Sequence, residues 1–159
     1  MRGGAMIALK TILFPTDFSD FSLHALDYAV SFSMEYGSRI VLMHVVDIFL
    51  TDPAYFAPYA PDRKDFEDFE KRAKERLEEI AGAKVPAGVP VEAVVTQGRA
   101  FAEIVRMARE RKADLIVIAT HGRSGLSHAM FGSTAEKVIR KAPCPVLSVK
   151  YPGHDFILP

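Results

Sequence analysis

Cysteine is almost missing from this chain, and its one thiol, Cys144, cannot close an internal disulfide. That excludes a disulfide-stapled scaffold and fits a reducing compartment. An excess of charge is missing too: twenty Lys and Arg balance twenty Asp and Glu, for a formal net charge of zero with His neutral. General nucleic-acid or anionic-membrane binders need a basic footprint, so neither class is expected. No apolar run approaches the ~20 residues that span a bilayer, and Leu115 to Ala119 is typical of the longest. An export signal is lacking as well, because the apolar stretch after Met6 is broken by Lys10 and Thr11. The expected location is cytoplasmic. What is present is 49% apolar residues, too many for intrinsic disorder, in a chain of 159. One domain of this size buries about 70% of the surface its unfolded chain exposes, which is core enough to fold without staples.

Five short aliphatic runs punctuate the sequence: Thr11–Phe14, Arg39–Val46, Val91–Val95, Leu115–Ala119 and Val146–Val149. The second and fourth are almost continuously apolar, the pattern of strands covered on both faces in a parallel sheet. Helical periods lie between them. Leu26, Ala29, Val30 and Ser33 form one stripe; Phe66, Phe69, Ala73, Leu77 and Ile80 form a second. Phe101, Ile104, Val105 and Ala108 make a third, and Ala135, Val138 and Ile139 a fourth. Gly37 and Gly82 are expected helix stops. Strands alternating with helices to a fifth strand give right-handed βαβ units, hence one doubly wound α/β domain with helices on both faces of a parallel sheet. Residues 1–8 read as an N-terminal extension, 9–151 as the domain and 152–159 as a tail. The stretch from Asp47 to Asp62, with Pro53, Pro58, Pro61, Tyr55, Phe56 and Tyr59, reads as a long loop that is either functional or an aromatic surface flap.

Ligands of such sheets bind beyond the carboxyl ends of the strands, where strand order reverses. Three strand ends stand out: Pro15-Thr16-Asp17, Val45-Val46-Asp47, and the segment from Ala119 to Thr134. In the last, Gly122 and Gly125 let backbone approach a ligand, and Gly132-Ser133-Thr134 opens a helix whose unpaired amides and dipole favour an anion. Arg123 offers a charge-assisted bond to phosphate. The same residues also read as an ordinary strand-to-helix loop with Ser133 as N-cap. Gly125 is followed by six residues and no lysine before Gly132-Ser133, so this is not a P-loop. No glycine follows the first strand, so a dinucleotide fingerprint is absent as well.

The spacing Gly122, nine residues, Gly132-Ser133 resembles the phosphate motif of the universal stress protein family in its ATP-binding branch. Ile12 to Ser19, His44 to Asp47 and Ala142 to Leu147 resemble the same family in the same order, so the likeness runs from about Leu9 to Lys150. The motif's first glycine is Ala119 here. This resemblance implies an adenine-nucleotide α-hydrolase-like sheet of order 3-2-1-4-5 and an ATP site, with Mg or Mn accompanying the nucleotide. Pro15, Thr16 and Asp17 would lie on the ribose and adenine side, Asp17 being the metal-side candidate. Val45 or Val46 would meet adenine through backbone groups. Ile118, Ala119, Gly122, Arg123, Gly125, Gly132, Ser133 and Thr134 would surround ribose and phosphates, with Ala119 expected to weaken binding. It also implies a homodimer through Val146, Leu147, Ser148 and Val149, with Phe156-Ile157-Leu158 adding to the interface, and a stress-response sensor or regulator with slow or no hydrolysis. The other reading is an interaction module of the same fold that has lost the nucleotide.

Dedicated catalysts are not evident. His121 and His128 lack a carboxylate or cysteine at zinc spacing. Gly122-Arg123-Ser124-Gly125 lacks the spacing of a nucleophile elbow. Asp17 and Asp47 read as a carboxylate pair or as caps, His44 as a hydrogen-bonded core histidine, and Cys144 as packing at the start of a strand. No catalytic residue and no protein-held metal are expected.

Overall fold

The computed structural model describes residues 7–47, 63–122 and 132–152. The strands are β1 (Thr11–Pro15), β2 (Arg39–Val46), β3 (Val91–Gln97), β4 (Leu115–Ala119) and β5 (Val146–Val149). The helices are α1 (Asp20–Tyr36), α2 (Arg63–Lys84), α3 (Ala100–Glu110) and α4 (Ser133–Lys141). All strand pairs are parallel, in the order β3-β2-β1-β4-β5. This is the doubly wound fold expected from the alternation of strands and helices. Every residue of β1 is buried, because it has a strand on each side and helices above and below.

Period-two alternation divides the sheet's side chains between two cores. Ile12, Phe14, Ile40, Leu42, Val117 and Ala119 pack with Leu26, Ala29 and Val30 of α1 and Leu77 and Ile80 of α2. Leu13, Val41, Met43, Ile116 and Ile118 pack with Ile104, Met107 and Ala108 of α3 and Ala135 and Val138 of α4. Helix α1 starts at Ser19, whose hydroxyl caps Ser22 N–H, and stops at Gly37 in the left-handed region at φ 65°. Asp114 accepts from the N–H groups of Lys10 and Thr11 and so ties the start of β1 to the start of β4.

Three expectations need correction. Gly82 does not stop its helix, since α2 continues to Lys84. Phe69 is 47% exposed and Ile139 40% exposed, so neither belongs to the core face. In the α2 stripe Ala73, Leu77 and Ile80 are buried and Phe69, one turn earlier, is not: period sets a shared face, and the neighbouring layer sets how much of it is covered. Met107, absent from the expected stripe, is buried instead.

Candidate functional site

The strand order reverses between β1 and β4, because the chain winds from β1 through β2 to β3 and then crosses back to β4. β1 and β4 pair only at Ile12↔Leu115 and Leu13↔Ile116, whereas β1 follows β2 as far as Pro15↔Met43. The ladder between the two central strands therefore ends at Leu13 and Ile116, and the region beyond, at their carboxyl ends, is the switch-point crevice of this fold. This is where open α/β sheets hold ligands.

One wall is the turn from β1 into α1. Thr16 is buried and fully engaged by the fold. Its N–H donates to Met43 O at 2.9 Å, and its carbonyl meets His44 Nδ1 at 2.8 Å. Its hydroxyl lies 2.8 Å from Ser22 Oγ and accepts from Phe18 N–H. Asp17 Oδ1 accepts from the N–H and hydroxyl of Ser19 at 3.0 and 2.5 Å. Phe18 takes φ 66°, a left-handed conformation that is costly for a bulky side chain and kept only where its surroundings impose it.

The opposite wall is the exit of β4. Gly122 lies against Asp17, and a Cβ built on it would come within 2.4 Å of Asp17 Oδ2. Any side chain at this position would require the Asp17 carboxylate to move. His121 is half-buried, its Nδ1 3.0 Å from Thr120 Oγ1 and its ring 6.3 Å from that of Phe21. Ala119 turns its methyl into the α1-side core with Val117 and Val149, so the extra carbon adds packing there. Ile118 is buried against the other core.

Beyond Gly122 the described chain resumes at Gly132, the N-cap of α4, with no side-chain capping bond. Gly132 N–H donates to Thr120 O at 2.6 Å, and the first helical bond is Glu136 N–H to Gly132 O. The amides of Ser133, Thr134 and Ala135 precede that bond and have no acceptor inside the helix. With the hydroxyls of Ser133 and Thr134 they form a donor-rich end suited to an anion. Ser133, expected as N-cap, is instead the first helical residue.

The third contributor is β2. Met43 points its carbonyl toward β1, and Val46 gives its carbonyl to Gly98 N–H on the β3 side at 3.1 Å. Peptide groups alternate sides along a strand. Val45 therefore turns its N–H and C=O toward the β1 side, past the end of the β1 ladder. Of the two valines, Val45 carries the edge that faces the crevice. Asp47 Oδ2 accepts from Ala100 N–H at 3.3 Å, which gives α3 the cap that its own Arg99 does not supply.

Arg123, Ser124, Gly125 and His128, the loop from Ile48 to Asp62, and Phe156-Ile157-Leu158 lie outside the described residues. Among the described residues no group of three or more His, Cys, Asp or Glu is arranged to hold a metal ion, and no helix is long and apolar enough to cross a membrane. Cys144 is half-buried, and burial, with Asp114 adding, pushes its thiol pKa up, away from the reactive thiolate. Sequence reasoning missed the role of Phe18 and its ring contact with His44. The motif Asp17-Phe18-Ser19 carries no mark of a positive φ.

The universal stress protein family model matches residues 8–150. A universal stress protein of Methanocaldococcus jannaschii is 35% identical over 148 residues, covering 92% of this chain and 85% of that protein. A second from the same organism is 31% identical over 160 residues, covering 91% of this chain and 96% of its own. Its solved structure matches with TM-score 0.78, covering 92% of this chain and 99% of that one. At the level of fold alone, a universal stress protein in complex with cAMP matches at 24% identity and TM-score 0.59, covering 90% of this chain and 98% of that one. One from Archaeoglobus fulgidus in complex with dAMP matches at 22% and 0.57, covering 91% and 100%.

Proposed function

The chain belongs to the universal stress protein family, and from that premise we propose that its crevice binds an adenine nucleotide, ATP first among them, and that it works as a nucleotide-dependent regulator of a stress response. The observation that carries this reading is the start of α4. Three amides without an acceptor inside the helix lie there beside two hydroxyl-bearing residues, with no side-chain cap among the described residues, at the same end of the sheet as the outward peptide edge of Val45. Phosphates suit the first and a purine edge the second. Two proteins of this fold hold cAMP and dAMP, so the architecture is compatible with such ligands. Arg123 and Gly125 belong to the proposed phosphate loop, and Mg or Mn would enter with the nucleotide. Asp17, whose carboxylate is held by Ser19 and packed on Gly122, would serve the metal only by giving up those contacts. Hydrolysis is expected to be slow, because the sequence has no P-loop lysine and no dedicated base is evident among the described residues of the site. Turnover on the order of 1–100 per second, as in kinases, would contradict that.

A second reading is favoured by two contacts. Gly132 N–H is taken by Thr120 O, and Gly122 makes room for Asp17. Both motif glycines then serve the fold, as they would in an interaction module without nucleotide. Denaturing the purified protein and analysing what is released separates the two. Adenine nucleotide near one equivalent is expected; a protein that releases none, and that binds none on titration with ATP, supports the module.

Ala119 offers a further check. Ala119→Gly is expected to leave ATP affinity within about twofold and to lower stability by about 1 kcal/mol, since it loosens a strand and removes a buried methyl. A clear gain in affinity would mean that the methyl obstructs the ligand after all.

Homodimerisation through β5 is part of the proposal. Pro145 and Val149 direct their carbonyls to β4, so Val146 and Ser148 turn theirs to the open edge. Light scattering at micromolar concentration should give the mass of a dimer, and a monomer there would refute it.

A further inference from the structure

The turn between β1 and α1 is held by a contact that no phosphate motif requires. The rings of Phe18 and His44 stack with centroids 4.2 Å apart and planes 27° apart. His44 Nδ1 lies 2.8 Å from the carbonyl of Thr16. A carbonyl oxygen accepts and never donates, so Nδ1 carries the proton, and in the neutral ring Nε2 is the acceptor. Phe18 holds φ 66° and bonds its N–H to Thr16 Oγ1 at 3.0 Å. Thr16 is thus gripped at its N–H by Met43 and at its carbonyl by His44, which are neighbours on β2. Val45, the next residue of that strand, carries the peptide edge that faces the crevice. The strained Phe18 and the doubly gripped Thr16 fix the main chain of Pro15 to Asp17 relative to Val45.

We propose that His44 is a positioning residue for nucleobase recognition: its ring and its Nδ1–H hold the Thr16 peptide and Phe18, so that a purine edge fits between Val45 and the Pro15–Asp17 backbone. The inference rests on the nucleotide-binding reading and assigns to it the residue that sets base selectivity without touching the base. A bond from Nδ1–H has one consequence that a packing role lacks. Asparagine places an amide donor where Nδ1 stands, whereas phenylalanine keeps a stackable ring and loses the donor.

The experiment compares wild type, His44→Asn and His44→Phe for binding of ATP and GTP, with thermal melts on each. Wild type is expected to prefer ATP. His44→Phe is expected to lose about tenfold in ATP affinity, the scale of one hydrogen bond, and most of its preference over GTP. His44→Asn should retain most of both. Three results overturn the inference: His44→Phe binding ATP like wild type, both variants losing equally, or ATP and GTP weakening together with their ratio unchanged. Where His44→Phe fails to fold, nitrogen-15 spectra of the wild-type imidazole decide. An Nδ1–H tautomer is expected, and an Nε2–H tautomer overturns the proposal. A wild type that binds no adenine nucleotide defeats the functional reading, and this inference with it; a wild type that binds ATP while His44→Phe binds it equally well defeats only the inference.

Discussion

Gly122→Ala is expected to destabilise the protein by about 1–3 kcal/mol and to abolish nucleotide retention, although it adds a single carbon. The new Cβ would come within 2.4 Å of Asp17 Oδ2. A flexible side chain would swing away from such a contact. Asp17 is short, and its other oxygen is tied to the N–H and hydroxyl of Ser19, the N-cap of α1. Relief therefore means breaking the turn that starts α1 or moving the exit of β4, and either change deforms the crevice. The cause can be isolated by a double-mutant cycle in urea. Asp17→Ala removes the offending oxygen, so the double variant should be more stable than the sum of the singles by at least about 0.5 kcal/mol. Additive singles, or a Gly122→Ala protein as stable as wild type, would show that the contact does not govern this wall. Nucleotide retained by Gly122→Ala would place the ligand elsewhere.

Phe14→Ala is expected to cost about 3–5 kcal/mol, the largest effect of any single change considered. Phe14 is fully buried in the central strand, in the core that includes Leu26, Ala29, Leu42 and Val117. Removing the ring leaves a cavity between the sheet and its helices that the flanking strands cannot close without breaking ladder bonds. Against a total stability of about 5–15 kcal/mol, such a loss leaves some such proteins unfolded at working temperature. The transition midpoint in urea should fall with an unchanged slope, the signature of lost native stability. A loss below about 1 kcal/mol would mean that the core collapses around the gap, and that β1 is not the rigid floor on which Pro15 to Asp17 are carried.

The sequence was legible wherever structure repeats at short range. The near-continuous apolar runs mark strands covered on both faces, and they are β2, buried from Ile40 to Met43, and β4, buried from Ile116 to Ala119. The stripe Leu26, Ala29, Val30, Ser33 is the buried face of α1, and Gly37 takes the left-handed cap. The exceptions share a cause. Gly82 is expected to stop a helix by taking a left-handed cap, but it keeps out of the left-handed region; Ile80, two residues before it, is anchored in the core, and α2 continues to Lys84. Phe69 and Ile139 keep the helical period yet stay exposed. Period tells which residues share a face, and only the neighbouring layer tells how far that face is buried.

For the site, the strand ends carrying Asp17, Val45 and Gly122 stood out in the sequence, as did the opening of α4. Their tasks did not. Choosing Val45 over Val46 required the ladder to β3, where Gly98 claims the Val46 carbonyl. Seeing that Gly122 answers to Asp17 required two segments more than a hundred positions apart to meet. Sequence by itself determined the run of strands and helices, the class of fold and the donor-rich start of the last helix, because dihedral preference, side-chain period and unpaired amides are local properties of the chain. Tertiary structure alone decided which peptide edge faces the crevice, which glycine packs against a carboxylate and which histidine grips the first turn, because those depend on what the sheet's parallel register brings face to face.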